Sequence, residues 1–331
     1  MKTLTSEMTT RCVGRHLLDL PRDLLQNTQS YAEVDEVRIS INPLAEREFS
    51  MALRIREEEL KRETIYGSGD SSLKSSWSAP NASGLIFDRS RSRESNVLRT
   101  LELRAWRDGY ALLLQIDARD ISFSKSRSAD DTRQTTTPEK LAQLLDVFAR
   151  TRGLAEGELP QESGLCIANG FIQGPPSEQE SMQIAFHLKD TQDVYFSFRS
   201  NTLIWEDESL LDRSAKVERE MQRSGTTTVR KGKRDIQGQP VEEWLMRGPT
   251  PERVPGTMFD LQANVTERDP AKPFVSLTLF NGFRIPAPLR TLEESALVRN
   301  LTSASLSEAE AVALWDAVTP TLRKRTIALR P

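Results

Sequence analysis

The stretch LELRAWRDGYALLLQIDA, Leu101 to Ala118, constrains the fold more than any other part of this chain. Leu101, Leu103 and Ala105 alternate on one face, Tyr110, Leu112, Leu114 and Ile116 alternate in the same way, and Asp108-Gly109 lies between the two runs. A period of two means that an extended strand buries one face. Asp-Gly supplies the positive φ that both central residues of a type I′ turn require, so the segment predicts an antiparallel hairpin. Three further pairs have the same form: MQIAFHL with VYFSFRS around KDTQD, TTVRKGK with VEEWLMR, and MFDLQANV with FVSLTLF.

Four helical stretches interrupt these strands. Glu46 to Leu60 sets Phe49, Leu53 and Leu60 on one face, and Asp207 to Met221 does the same with Leu210, Ser214, Val217 and Met221. Thr137-Pro138-Glu139 opens a helix with an N-cap and a first-turn proline, striped by Leu141, Leu144, Leu145 and Phe148. Ser307-Glu308-Ala309-Glu310 is a capping box ahead of Ala311, Leu314, Trp315 and Val318. Strands in hairpins with helices packed on them predict an α+β fold with antiparallel sheets.

A chain of 331 residues is longer than one hydrophobic core usually organises, so two lobes are expected. The connector is GLAEGELPQESG, which divides the chain into lobes at 1–155 and 160–331. Each half begins with a cysteine-bearing strand, RCVGRHLLDLP or GLCIANGFIQGP, and closes on a capped helix. This shared plan predicts an internal duplication, with Cys12 and Cys166 at equivalent places as packed, reduced thiols.

Cys12, His16 and Asp19 are residue types of a catalytic or metal site, but an alternating strand points Cys12, Gly14 and His16 one way and sets no carboxylate beside His16. They read as structural. His16 and His187 are the only histidines, and the chain has no G-x-S-x-G, H-E-x-x-H, C-x-x-C, P-loop or G-x-G-x-x-G motif. Two S-x-x-K matches, Ser71 to Lys74 and Ser122 to Lys125, lack the partner motifs that would give them meaning. No metal or cofactor is expected; an unrecognised carboxylate hydrolase stays open, because such sites leave weak local signatures. A net charge of -3 argues against a nucleic-acid partner, and RSRSR at Arg89 to Arg93 reads as a solvated loop. Apolar runs reach about five residues against the roughly 20 that span a bilayer, so no transmembrane segment is expected. MKTLTSEMTTR has no signal-peptide pattern, which leaves a cytoplasmic protein or one whose leader has been removed.

The polar segment Gly67 to Ser83 reads as a flexible loop, yet it carries Trp77. Tryptophan is enriched among binding hot spots, and packing against its own lobe is the other reading. Trp77 with Asp70, Arg89 and Arg91 in the first lobe, and Glu206 and Asp207 in the second, are the candidate partner-binding residues.

At CVGRHLLDLP the sequence resembles the N-terminal signature of the two-domain immunity proteins that neutralise type VI secretion lipase effectors. ESGLCIANGFI, Glu162 to Ile172, resembles the entry to that family's second domain. The resemblance runs through nearly the whole chain. It implies a non-enzymatic periplasmic protein, or failing that a cytoplasmic one, monomeric when free. Such a protein holds a phospholipase of α/β-hydrolase type with both lobes and blocks its active site. Cys12, Val13, Gly14, Arg15, Asp19, Leu20 and Pro21 match the motif, as do Cys166 and Gly170 in the second segment, all as structural positions. His16 departs from the pattern, standing where the family more often has an aromatic residue.

Overall fold

The computed structural model describes residues 4–27, 30–123, 134–286 and 300–325. In chain order its elements are β1 (Met8–Val13), β2 (His16–Pro21), β3 (Leu24–Gln26), β4 (Tyr31–Val34), β5 (Val37–Pro43), α1 (Glu46–Arg62), β6 (Leu73–Ser78), β7 (Ser83–Ser92), β8 (Ser95–Arg107) and β9 (Tyr110–Arg119). They continue with α2 (Thr137–Arg150), β10 (Thr151–Gly153), β11 (Gly164–Ile167), β12 (Gly170–Gln173), β13 (Glu180–Leu188), β14 (Val194–Asn201) and α3 (Ser214–Ser224). The last are β15 (Thr227–Ile236), β16 (Gln239–Pro249), β17 (Pro255–Ala263), β18 (Phe274–Asn281), α4 (Glu308–Val318) and β19 (Arg323–Lys324).

Contacts divide the chain into a central unit, Ala32–Leu154 with Asn169–Ile172, and a terminal unit, Met1–Tyr31 with Ala155–Ala168 and Gln173–Pro331. Both are sheet-rich and antiparallel with helices packed on them, as the α+β reading expects. The compact units do not follow the linear halves, because the first 31 residues group with the second half.

In the central unit the strands run β4-β5-β9-β8-β7-β6. The Asp108-Gly109 turn forms with φ of 52° and 87°, and Arg107 pairs Tyr110 across it. One face of β8 and β9 buries Leu101, Leu103, Ala105, Leu112, Leu114 and Ile116. The α2 helix packs there through Leu144, Val147 and Phe148. The other face carries Glu102, which α1 reaches with Arg56. Gly67 to Ser83 is not wholly a loop: Leu73–Ser78 pairs with β7 as the last strand of the sheet. Its serine-rich composition and a register shift between Leu73 and Ser75 left no apolar period of two to read.

In the terminal unit the strands run β15-β16-β17-β18-β14-β13, with β3 on β13, and β1-β2-β19 form a second small sheet. The three remaining hairpins of the sequence reading all form, β13–β14, β15–β16 and β17–β18. The edge strand β15 carries Arg230, Lys231, Lys233 and Arg234, charges that discourage pairing with another chain. The α4 capping box closes as expected, Ser307 Oγ accepting from the Glu310 N–H while Glu310 accepts from Ser307. Trp315 of α4 sits 5.9 Å from the Phe259 ring and donates its Nε1–H to Glu243 at 3.1 Å. Helix α3 begins at Ser214, not Asp207: the Leu211 N–H donates to the Glu242 carboxylate and the Ser209 N–H to Asp212, and residues 210–213 form turns ahead of the helix.

The two cysteines are where the sequence reading fails. Cys12 and Cys166 are bonded to each other across 154 residues, both within the terminal unit. They are neither free thiols nor equivalent positions in duplicated halves. Two backbone hydrogen bonds, Gly14 N–H to Cys166 O at 2.9 Å and Cys166 N–H to Gly14 O at 2.8 Å, clamp the two segments beside the disulfide.

Candidate functional site

The β1–β2 turn gathers the sequence motif in one place. Gly14 has φ of 59°, and a Cβ there would lie 3.3 Å from the Phe198 ring and 3.4 Å from the Met182 sulfur, so only glycine fits both the backbone and the space. That turn aims Arg15 at the buried Glu180 carboxylate, with Nε to Oε1 at 2.9 Å and Nη2 to Oε2 at 2.7 Å. The same guanidinium donates to the carbonyls of Gly174 and Pro175. Asp19 accepts from Arg323 at 3.1 Å, and its N–H donates to Thr321 Oγ1. Pro21 ends β2 in a buried position opposite Met8. Gly170 opens β12 opposite Gly153 of β10. Each of these motif residues is engaged within its own unit.

His16 is 2% exposed, and neither ring nitrogen has a hydrogen-bond partner among the described residues. Burial, then the Lys324 ammonium, push its pKa down to about 4, so the imidazole is neutral at pH 7. His187 lies on β13 opposite Tyr195. No group of three or more histidine, cysteine or carboxylate side chains is placed to hold a metal among the described residues. Ser71 Oγ donates to the carbonyls of Leu60 and Lys61, while Lys74 donates to the Ser71 carbonyl and to Asn96, so this S-x-x-K pair does not form a nucleophile and base. Lys125 of the other match lies outside the described residues.

The candidate partner-binding residues fall into distinct settings. Trp77 is 40% exposed on the edge strand β6, opposite Ile86. Strand alternation puts Arg89 on the other face of β7, so Trp77 and the arginines do not form one patch. Arg89 Nε donates to the buried Glu102 at 2.6 Å, alongside Arg56 and Arg104. Burial raises the Glu102 pKa, but hydrogen bonds from Arg56 and Arg104 and the charges of Arg104 and Arg89 outweigh it and hold the carboxyl at about 2. Arg91 is half exposed and 3.5 Å from Asp117. Asp70 accepts from Asn96 at 2.8 Å. In the terminal unit Glu206 pairs with Arg213 at 2.9 Å, and Asp207 is exposed.

Two residues that the sequence reading passed over are more exposed than Trp77. Trp205 is 51% exposed and stacks under Arg268, and Leu203 is 41% exposed, both in the segment that follows β14. The signal was present in TLIWEDE, where an isolated tryptophan precedes an acidic run just as Trp77 stands in a polar one. On α1, Met51 and Ile55 are exposed one turn apart.

A family model described as the Tle cognate immunity protein 4 C-terminal domain matches residues 158–327, and the N-terminal domain model matches residues 9–153. The chain belongs to the Tle cognate immunity protein 4 family. As a member it is an immunity protein, which acts by binding and has no reaction of its own. Among solved structures it resembles the apo immunity protein TplEi of the type VI secretion system from Pseudomonas aeruginosa, at 21% identity and a TM-score of 0.71 over 96% of this chain and 97% of that one. It also resembles a chain of the Tle4–Tli4 complex, at 21% identity and a TM-score of 0.72 over 97% of this chain and 98% of that one. TplEi complexed with an "L" peptide matches at 20% identity and a TM-score of 0.67, over 97% and 99%. At these identities the likeness is one of fold. No curated protein sequence matches the chain. For this immunity protein Arg15, Asp19 and Arg89 are committed within the chain, while Trp205 and Trp77 are among the large apolar side chains left exposed.

Proposed function

We propose that this immunity protein binds a cognate type VI secretion phospholipase of α/β-hydrolase type and keeps substrate from its active site by engaging it with both lobes. The observation that carries the proposal is the ordered match of both family domains over nearly the whole chain. Trp77 in the central unit and Trp205 in the terminal unit are the proposed anchors, large surfaces of low rotamer cost that a partner can bury. Asp70, Arg91 and Asp207 are proposed as rim charges acting on encounter rate more than on affinity. Arg89 and Glu206, held in short ion pairs at 2.6 and 2.9 Å against 3.5 Å for Arg91 with Asp117, are expected to contribute less.

We also propose that the protein works in the periplasm and is monomeric when free. The Cys12–Cys166 disulfide supports the location, because such bonds persist in oxidising compartments and are rare in the cytosol. The test of function is co-expression in the periplasm with the lipase encoded beside it: protection of the host supports the proposal, and lysis despite normal levels of folded immunity protein contradicts it. Location is tested by thiol alkylation of cells before and after reduction. Cysteines alkylated without reduction would place the protein in a reducing compartment.

A further inference from the structure

A cleft in the terminal unit has features that effector binding does not explain. It is a cavity of about 680 Å³ bordered by the β15–β16 turn, the end of β17 and β19, and it shares His16, Pro273 and Lys324 with a smaller cavity of about 170 Å³. Among the residues that line the two, five are cationic, Arg15, Lys272, Arg323, Lys324 and Arg325, and none is a carboxylate. Glu180 and Asp19 balance Arg15 and Arg323, but neither lines the cleft. The two lysines have weaker commitments, Lys272 to Asp269 at 3.6 Å and Lys324 to the Ala271 carbonyl at 3.4 Å.

Buried polar groups mark the same place. Neither His16 nitrogen has a hydrogen-bond partner among the described residues, and the buried Oδ1 of Asn264, which also lines the cleft, has none either. Such groups persist where something outside the chain satisfies them, since a lone buried donor or acceptor is costly. The lining also includes an aliphatic set, Ile236, Pro240, Ala263, Val265 and Pro273. The size is that of a small-molecule site.

We propose that this cleft binds a phosphate ester carrying a short aliphatic body, with Lys272 and Lys324 on the phosphate, His16 at its inner edge and the aliphatic wall against the body. Charge selects the anion, the lysines acting as mobile point charges. The wall distinguishes an ester from inorganic phosphate. The inference stands on the cleft alone and does not depend on the effector.

The test is NMR of the imidazole resonances in the full chain, where His16 and His187 are the only histidines and His187→Gln assigns them. Four probes are titrated: sn-glycerol 3-phosphate, dihexanoylphosphatidylglycerol below its micelle concentration, inorganic phosphate, and uncharged dihexanoylglycerol. The esters should shift His16 in a saturable way, at least tenfold more tightly than inorganic phosphate. The neutral glyceride should leave it unmoved. A Lys272→Ala/Lys324→Ala double variant, altered only at exposed side chains, should unfold at the parent's urea midpoint and bind the ester at least tenfold more weakly. Phosphatidylglycerol vesicles separate the sources: co-sedimentation that the double variant loses identifies a lipid headgroup, and binding of soluble esters alone identifies a free metabolite. An unmoved His16, equal binding of inorganic phosphate or the neutral glyceride, or full binding by the folded double variant would overturn the proposal.

Discussion

His16 keeps a neutral imidazole because burial penalises its charged form and Lys324 repels it, which puts its pKa near 4 against 6.5 when unfolded. Between those values the unfolded chain binds more protons, so stability is full above pH 6.5 and falls as pH drops toward 4, by about 3 kcal/mol at the lower limit. Urea midpoints measured from pH 7 to 4.5 should therefore decline in the parent and decline much less in His16→Phe; equal slopes would remove His16 as the cause. Glu102 behaves in the opposite chemical sense but with the same outcome in acid. Its pKa of about 2 lies below the unfolded value of 4.5, so its contribution is present above pH 4.5 and is lost as pH falls toward 2. Glu102→Gln leaves three arginines beside a neutral buried amide and should cost about 3 to 5 kcal/mol in urea unfolding at pH 7. A cost under 1 kcal/mol would show that water already screens the cluster. The sequence could not show this: Glu102 sits in an alternating apolar strand, and of its three arginine partners only Arg104 is local, Arg56 and Arg89 coming from 46 and 13 residues away.

Hairpins, the helix stripes and the Ser307 cap were legible because each is written locally: the Asp-Gly turn, the period of two and the capping box need no knowledge of distant residues, whereas the Thr137 cap and the start of α3 were misread. The disulfide was not legible, because its pairing depends on topology that brings β1 and β11 together. Similar cysteine-bearing segments suggested equivalence, whereas geometry made them partners. Closing a loop of 154 residues constrains the unfolded chain by about 5 kcal/mol in the chain-entropy model. A Cys12→Ser/Cys166→Ser variant should lose about 2 to 5 kcal/mol in urea unfolding, and reducing the parent should reproduce that loss. A double variant as stable as the oxidised parent would mean that the Gly14–Cys166 backbone bonds and the Arg15–Glu180 pair hold the segment unaided.

At the scale of the whole molecule, chain length and a repeated plan gave two sheet-rich lobes; the two family models meet between 153 and 158, near the linear cut at 155, while the compact units group the first 31 residues with the second half. A fragment of residues 160–331 lacks β1, β2, β3 and Cys12, and should unfold at lower urea than the same unit within the full chain. Candidate contacts were legible only as residue types: Trp77 was found by its contrast with a polar segment, while Trp205 was passed over beside the acids that follow it. Trp77→Ala and Trp205→Ala should each weaken effector binding by about 2 kcal/mol in calorimetry, with folding unchanged. The central claim, that this immunity protein inactivates a phospholipase by binding it, is tested most directly by titrating purified protein into the cognate lipase and following hydrolysis of phospholipid vesicles. Hydrolysis should fall linearly to near zero at one equivalent; undiminished hydrolysis at a tenfold excess of folded, oxidised protein would contradict it.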